Sequence, residues 1–179
     1  LAKDKNLDFD VVVAGDAPDE IKSDGRRIEQ IIKNLVSNAI KFTDEGGITV
    51  TFNRPAAESK LFRNGLDPEQ TLVITVKDTG IGISQENQKI IFEAFQQVDG
   101  SAARKHSGTG LGLSISREIA QLLGGMIQVE SEIGTGSTFS LFLPLEAFQK
   151  EEEEKITKKP AMRAARSESA IIPSASNAV

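Results

Sequence analysis

The chain has 179 residues and a net charge of -5 at pH 7, which argues against a general nucleic-acid binder because no basic surface offsets the acidic balance. It has no cysteine and a single histidine, which excludes disulfides, thiolate metal sites and histidine-based zinc clusters. No apolar run approaches membrane-spanning length and no signal peptide opens the chain, so we expect a soluble, cytoplasmic domain without direct membrane contact. Because Leu1 is not an initiator methionine, we also expect a fragment of a longer protein, and whether that parent is membrane-anchored stays open.

Helical and strand patterns alternate from residue 7 to residue 143. Asp24 can cap a first helix that runs to about Phe42, and Ser84 can cap a short second one. A third, amphipathic helix covers residues 111–123 and ends at two glycines. Runs rich in β-branched residues predict strands at 7–13, 48–52, 71–76, 126–131 and 137–143. Residues 53–70 are polar with two prolines and predict a variable loop.

The composition changes after Pro144. An acidic run at 151–154 is followed by lysines and then by Ala, Ser and Pro, which cannot bury enough apolar surface to fold alone. We therefore predict a domain over residues 1–148 and a disordered linker or tail over 149–179. The mixture of strands and helices predicts an α+β fold, with one mixed sheet and helices on one of its faces.

Three polar residues form a stripe on the first helix. Asn34, Asn38 and Lys41 fall on one narrow side of it at roughly 100° per residue. Asparagine is a mediocre helix former because its amide competes for backbone hydrogen bonds. An amide oxygen is a hard ligand that suits magnesium, and the lysine ammonium suits a phosphate. We interpret the stripe as a ligand site; the alternative is that the asparagines hydrogen-bond within the core or face water.

A glycine-containing motif, Asp78-Thr-Gly-Ile-Gly82, follows directly on the third strand. A carboxylate only accepts hydrogen bonds, so Asp78 suits the six-amino group of adenine, whereas guanine offers an acceptor there. Gly80 and Gly82 permit tight turns and the close approach of a planar base. Taken alone, the motif slightly favours a simple Asp-Gly turn, because short glycine motifs are common by chance.

A second glycine motif, Ser107-Gly-Thr-Gly-Leu-Gly-Leu113, opens the third helix. Its glycines free the backbone amides of residues 108–112 to converge on an anion, and the helix N-terminus adds partial positive charge. A Rossmann site is disfavoured because no strand leads directly into the glycines, and the Walker Gly-Lys-Ser/Thr ending is absent. We predict phosphate binding rather than a flexible hinge.

The polar segment before these glycines, residues 96–112, is long enough to predict a functional loop. Arg104 and Lys105 can reach a terminal phosphate if this loop closes as a lid. Solvated charges on a mobile loop are an equal alternative. His106 has no neighbouring carboxylate in the sequence, so we interpret it as a surface residue rather than a nucleophile.

Together these motifs resemble the catalytic, ATP-binding domain of two-component sensor histidine kinases. That group belongs to the superfamily of DNA gyrase, the heat-shock chaperone of ninety kilodaltons and the mismatch-repair ATPases. The resemblance covers about residues 7–145 and implies a Bergerat fold, a two-layer α/β sandwich with a mobile ATP lid. Its five boxes occur in order: the N box Asn34–Thr43, the first glycine box Asp78–Gly82, the F box Phe92–Phe95, the second glycine box Gly108–Gly112 and the last box Gly134–Phe139.

The resemblance also implies cofactors, ATP and Mg2+, and a role for each matching residue. Asn38 would be the magnesium ligand, Asn34 would support the metal's water shell, and Lys41 would contact the phosphates. Asp78 would read the adenine amine, with Thr138 near the base. The remaining implied contacts are Gly80 and Gly82 at the base, Gly108, Thr109, Gly110, Leu111 and Gly112 at the phosphates, Arg104 and Lys105 at the terminal phosphate, and Phe92 and Phe95 as lid anchors or core aromatics.

One position separates kinases from ATPases in this superfamily. The ATPases carry a glutamate where this chain has Asn34, and a carboxamide is not a general base at neutral pH. Phosphoryl transfer is therefore favoured over hydrolysis. The resemblance implies a histidine acceptor on the dimerisation domain of its own or a neighbouring subunit, and a downstream response-regulator receiver. No His-Glu or His-Asp pair occurs in this chain. The alternatives are a gyrase-type or chaperone-type ATPase and a nucleotide-sensing module without transfer.

Overall fold

A computed structural model describes Ala2 and residues 5–56, 65–93 and 110–146. These residues belong to one compact unit, Leu1–Phe148. The predicted tail, 149–179, lies outside the described residues. In chain order the elements are β1 (Asp8–Val13), α1 (Gly25–Phe42), β2 (Gly47–Asn53), a 3-10 turn (Pro68–Gln70), β3 (Thr71–Asp78), α2 (Gln85–Ile90), α3 (Gly112–Leu122), β4 (Met126–Glu132) and β5 (Gly136–Pro144).

The five strands form one mixed sheet in the order β1-β2-β3-β5-β4. The pair β1 and β2 is parallel, and the other three neighbouring pairs are antiparallel. The last two strands, β4 and β5, form an antiparallel hairpin. The prediction of an α+β fold with a mixed sheet is confirmed, and the predicted strand boundaries differ from the observed ones by one or two residues.

Helix α1 forms where the sequence supplies both a cap and an apolar side. The Asp24 carboxylate accepts hydrogen bonds from the backbone amides of Arg26 (3.0 Å) and Arg27 (3.2 Å), as an N-cap should. Its inward side is fully buried at Ile31, Leu35 and Ala39. Burial of each large aliphatic side chain contributes roughly 1.5–3 kcal/mol. The helix is thus fixed against the sheet by its apolar side, with the polar stripe to one side of the contact.

Helices α2 and α3 begin differently. Ser84 caps α2 by accepting a hydrogen bond from the backbone amide of Asn87 (3.3 Å), as predicted. Helix α3 begins behind Leu111, whose side chain makes no capping hydrogen bond. The first backbone amides of α3 are therefore not capped by the residue before the helix, in contrast to those of α1 and α2. The helix ends before Gly124, which has a φ of 76°, so the two glycines end it as predicted.

Both faces of the sheet carry buried apolar side chains, but most of them lie on the face that the helices cover. Residues that pair across neighbouring strands share a face, so the register defines rows across the sheet. On the helix-covered face, one such row is Val50, Val76, Phe139 and Val129, and the next contains Ile74, Leu141 and Ile127. The opposite face carries a small buried cluster of Leu66, Val73 and Phe142. Part of the predicted polar loop, around Leu66, therefore covers that second face.

Among the residues described, no helix is long and apolar enough to cross a bilayer.

Candidate functional site

One row on the helix-covered face is polar where its neighbours are apolar. Asp78 at the end of β3 pairs with Ser137 at the start of β5, and Ser137 pairs with Ser131 on β4. We call Asp78, Ser137 and Ser131 the strand-end row. Asp78 and Ser137 are buried at 5% and 7% exposure. A buried polar row at the edge of an otherwise apolar face indicates a site for a polar ligand rather than part of the core.

The Asp78 carboxylate is held by one of its two oxygens. Its Oδ1 accepts hydrogen bonds from the backbone amides of Gly80 (2.9 Å) and Ser137 (3.2 Å). Its Oδ2 has no hydrogen-bond partner among the described residues. Burial raises the pKa of the Asp78 carboxyl, and the two backbone hydrogen bonds oppose that shift. The carboxylate is thus fixed in position while its second oxygen remains available to a ligand donor.

The two glycines of the first motif lie where backbone segments come close together. A Cβ on Gly80 would lie 2.3 Å from the Phe42 carbonyl oxygen. Gly82 has a φ of 71°, and a Cβ there would lie 2.0 Å from the Glu132 carbonyl oxygen. Both positions therefore exclude larger residues by backbone contact. These backbone contacts explain the glycines at 80 and 82 whether or not a base binds there.

The C-terminus of α1 contacts the first glycine motif and is capped by a lysine. The Ile81 amide donates to the Phe42 carbonyl (3.2 Å). The Lys5 Nζ donates to the carbonyls of Ile40 (2.9 Å), Lys41 (3.2 Å) and Thr43 (3.0 Å). A cation that satisfies the last carbonyls of a helix also interacts favourably with its dipole. Lys5 therefore fixes the turn of α1 that carries Lys41.

Near its middle, α1 contacts the helix that follows the second glycine motif. The Asn34 Nδ2 donates to the Ser116 hydroxyl on α3 (2.9 Å). A Cβ on Gly112 would lie 2.4 Å from Asn34 Oδ1, so glycine at 112 permits this close approach. Asn34 thereby joins the first turns of α3 to α1. The predicted role of Asn34 near a metal stays a prediction, and the contact with Ser116 is an additional one.

Asn38 and Lys41 are half-buried on α1 and make few contacts. The Asn38 side chain has no hydrogen-bond partner in the described part of the chain. The Lys41 Nζ lies 4.8 Å from the centroid of the Phe42 ring and forms no ion pair with a described residue. Together with Asn34 they form the α1 stripe. Two of its three side chains therefore remain available to bind a ligand.

The second glycine motif is described only from Gly110 onward. Gly110 has a φ of 68°, which favours glycine, and it leads through Leu111 into α3 at Gly112. The other predicted residues of this region, Arg104, Lys105, Gly108 and Thr109, lie outside the described residues, as do His106 and Phe95. The predictions made for them stay predictions.

Thr138 does not lie with the other predicted base contacts. It pairs with Lys77 and Glu130, on the sheet face opposite Asp78, because side chains alternate along a strand. Ser137, one residue earlier, occupies the helix-covered face beside Asp78. Thr138 therefore does not share a face with Asp78, and Ser137 is the β5 residue that lies beside the carboxylate. The predicted contact of Thr138 with a base stays a prediction. The alternation along β5 was visible in the sequence, but the register that pairs Ser137 with Asp78 was not.

Phe92 lies in the core. Its ring meets the Phe139 ring edge to face, with centroids 6.5 Å apart, and the Arg117 guanidinium lies 5.8 Å from its centroid. Edge-to-face aromatic pairs and cation–π contacts both add to the energy of burial. Of the two interpretations given to Phe92, the described contacts support the core aromatic.

Three further residues near the site, Ser131, Ser137 and Lys5, carry no local sequence signal of their own, since their importance depends on long-range contacts.

A family model for the "Histidine kinase-, DNA gyrase B-, and HSP90-like ATPase" matches residues 23–147. The chain belongs to this family. The match spans α1, both glycine motifs and the final hairpin, which are the elements that build the site. The predicted membership of this superfamily is therefore confirmed, and relatives that are 38% and 42% identical place the resemblance with histidine kinases.

Similar proteins include sensor histidine kinases from distant organisms. The chain is 42% identical over 146 residues to the hybrid signal transduction histidine kinase D of Dictyostelium discoideum, covering 81% of the chain and 9% of that protein. It is 38% identical over 143 residues to the histidine-protein kinase BarA of Escherichia coli (strain K12), covering 80% of the chain and 15% of BarA. The chain thus spans less than a sixth of the length of these two relatives.

Among solved structures, full-length ShkA in complex with AMPPNP is similar with a TM-score of 0.65 and 31% identity, covering 80% of this chain and 26% of ShkA. This similarity confirms the predicted Bergerat-type sandwich. The unpartnered side chains of Asn38 and Lys41 offer an amide oxygen and an ammonium, a donor set that fits phosphate with a hydrated divalent ion. The described residues contain no cluster of three or more His, Asp or Glu side chains suited to a metal.

Proposed function

We propose that this domain binds Mg-ATP and donates the terminal phosphoryl group to a histidine on a separate dimerisation domain, in two-component signalling. The acceptor domain would belong to the same or a neighbouring subunit, and a response-regulator receiver would act downstream. The names of BarA and histidine kinase D support this assignment. Binding of ATP is further supported by the AMPPNP complex of ShkA, which shares the fold.

The observation that carries the proposal is that α1 contacts both glycine motifs. Its C-terminus accepts the Ile81 amide of the first motif, and Asn34 joins it to α3 behind the second. The α1 stripe therefore runs from the first turns of α3, which Asn34 contacts, toward the first glycine motif, which the C-terminus of α1 contacts. A base at Asp78 and phosphates at the α3 N-terminus would place the α1 stripe along the phosphate chain.

Each part of the nucleotide then has a partner of matching chemistry. The free Asp78 Oδ2 would accept a hydrogen bond from the six-amino group of adenine. The Lys41 ammonium, which has no described ion pair, would neutralise phosphate charge. Asn38 would contribute an amide oxygen to magnesium. Magnesium bound there would neutralise charge on the phosphate oxygens and hold them in one geometry.

The chemistry expected of these residues is positioning rather than proton abstraction. Asn34 is a carboxamide, which does not take up a proton at neutral pH, so it cannot serve as a general base for water. Its Nδ2 donates to Ser116, which fixes its position instead. Transfer of a phosphoryl group requires alignment with an acceptor and neutralisation of charge, both of which a rigid site supplies. This favours transfer to a partner over hydrolysis.

The test mixes this chain and γ-labelled ATP with a separately prepared dimerisation domain of the same parent protein. We expect label on a histidine of the dimerisation domain, less label with Asn38→Ala, and little free phosphate without the acceptor. Measurable ATP binding without label on histidine would overturn the transfer step. Rapid hydrolysis by this chain alone, abolished by Asn34→Ala, would instead support the ATPase alternative.

A further inference from the structure

Ser131 lies next to the proposed base contact without contacting Asp78 itself. Its hydroxyl oxygen has three polar neighbours: the Gly136 carbonyl at 2.8 Å, the Ile83 amide at 2.8 Å and the Ser137 hydroxyl at 3.0 Å. A serine hydroxyl has one hydrogen to donate and two lone pairs to accept with. Three neighbours therefore use all of its hydrogen-bonding capacity.

The direction of each hydrogen bond follows from the chemistry of the neighbours. The Gly136 carbonyl can only accept, so Ser131 donates its single hydrogen there. The Ile83 amide can only donate, so it occupies one lone pair of Ser131. What remains is one lone pair, and Ser137 must donate to it. This arrangement satisfies all four groups, as buried polar groups require.

The hydroxyl hydrogen of Ser137 thus points at Ser131 and away from the base contact. What Ser137 retains toward a ligand is acceptor capacity alone. Its backbone amide is likewise engaged, because it donates to Asp78 Oδ1 (3.2 Å). Beside it, Asp78 Oδ2 is an acceptor by nature. The side chains of the strand-end row therefore present only acceptors to a base.

The arrangement around Ser131 is also held in place from outside the row. Gln88 on α2 donates through Nε2 to the Ile83 carbonyl (2.7 Å) and to the Ser131 carbonyl (2.8 Å). Ile83 is thereby bound at both its amide and its carbonyl. The loop after the first glycine motif and strand β4 are joined at this point, so Ser131 cannot easily turn its hydroxyl elsewhere.

We infer that Ser131 is a specificity-determining positioning residue, which orients the Ser137 hydroxyl so that the site selects a base with a six-amino donor over one with a six-oxo acceptor. This inference rests on the proposed ATP site and extends it to the discrimination of purines. Without Ser131, the Ser137 hydrogen would be free to turn toward the base and donate to a six-oxo group.

The test compares the affinities for ATP and ITP, which differ at the six position, on the same preparation of protein. We expect wild-type protein to prefer ATP, and Ser131→Ala to lower the ratio of ATP affinity to ITP affinity roughly fivefold, the worth of one neutral hydrogen bond. A merely structural role would weaken both nucleotides by the same factor. An unchanged ratio would overturn the inference.

Two further comparisons isolate the route through Ser137. In a Ser137→Ala background, Ser131→Ala should no longer change the ratio, and a persisting change would overturn the inference. Ser140→Ala is the matched control, because Ser140 lies on the same strand but on the opposite face, 3.5 Å from the Thr75 hydroxyl. It should leave the ratio at the wild-type value.

A second pair of variants keeps the test decisive if Ser131→Ala folds poorly. Ser131→Thr retains the hydroxyl, whereas Ser131→Val has nearly the same shape without it. We expect the wild-type ratio with threonine and the lowered ratio with valine, and equal ratios would contradict the inference. If the wild-type protein binds neither nucleotide, the proposed ATP site fails instead, so the two failures can be distinguished.

Discussion

The strand-end row and the α1 stripe both carry polar side chains, but they are held in different ways. In the strand-end row, Asp78, Ser137 and Ser131 hydrogen-bond to one another and to neighbouring backbone groups. In the α1 stripe, Asn38 and Lys41 have no hydrogen-bonding or ionic partner among the described residues. The strand-end row is thus rigid before a ligand arrives, whereas two of the three side chains of the α1 stripe, Asn38 and Lys41, are placed by their helix alone.

Within the proposed site, the strand-end row and the α1 stripe therefore suit different parts of the nucleotide. A base has a fixed pattern of donors and acceptors, so a pre-ordered row can read it without losing side-chain entropy on binding. Phosphates and a hydrated metal present charge in many directions, so side chains that order on binding suit them. We therefore expect changes in the strand-end row to alter stability and base choice together, and changes at Asn38 and Lys41 to alter binding alone.

The largest effect is expected from Gly82→Ala, which disturbs the backbone behind the strand-end row. The φ of 71° at this position strains any residue that carries a side chain. A Cβ there would also collide with the Glu132 carbonyl oxygen, which would lie only 2.0 Å away. We expect the free energy of unfolding to fall by about 2–4 kcal/mol, measured by urea denaturation. Gly134→Ala is the control, since its φ is 79° but nothing lies within 4 Å of its Cβ. It should lose only about 1 kcal/mol, and equal losses would contradict the collision.

Asp78→Asn should lower ATP affinity by roughly 10- to 100-fold, because a hydrogen bond to a charged acceptor contributes about 1.5–3 kcal/mol. Calorimetric titration with ATP measures the loss. Unchanged affinity would remove Asp78 from the site.

The same substitution should raise the stability of the free protein at neutral pH. Burial raises the pKa of Asp78, so the native state binds this proton more tightly than the unfolded chain does. The ionised carboxylate therefore destabilises the native state at neutral pH, and this effect disappears as pH falls through the raised pKa. Thermal unfolding should show Asp78→Asn as the more stable protein at pH 7, with the difference shrinking on acidification. A difference that grows on acidification would contradict the assigned direction.

Asn38→Ala tests the α1 stripe. We expect about tenfold weaker ATP binding in the presence of magnesium, the lower end of what losing a metal-site partner costs, and little change when the metal is chelated. Stability should stay near the wild-type value, because Asn38 makes no hydrogen bond to a described residue. Ser37→Ala, at the exposed neighbouring position, should change neither measurement. A loss of affinity that is equal with and without metal would contradict the assignment of Asn38 to magnesium.

Lys5→Met should give the smallest effect, a loss of about 1 kcal/mol in the free energy of unfolding. The substitution removes the cation from the C-terminal carbonyls of α1 while keeping a long apolar side chain. Lys22→Met is the matched control, because its contact with Glu146 is an exposed ion pair, with both side chains more than 70% exposed. It should change stability by less than about 0.5 kcal/mol. Equal losses of stability in the two variants would mean that the contacts of Lys5 with the three carbonyls contribute nothing to stability.

Much of this protein was determined by local sequence signals. The Asp24 cap with its apolar periodicity specified α1, two glycines ended α3, and alternating β-branched residues specified the strands, because capping and periodicity act within a few residues. The same signals placed Asn34, Asn38 and Lys41 on one stripe and Asp78 at a strand end.

Tertiary structure alone decided which of these groups meet. The register of β3, β5 and β4 aligned Asp78, Ser137 and Ser131 and put Thr138 on the other face, and a shift of one residue would have reversed that result. Contacts between distant segments also gave Lys5 its place at the end of α1 and engaged Asn34 with Ser116. Such contacts depend on how whole elements pack, and no local pattern in the sequence encodes them.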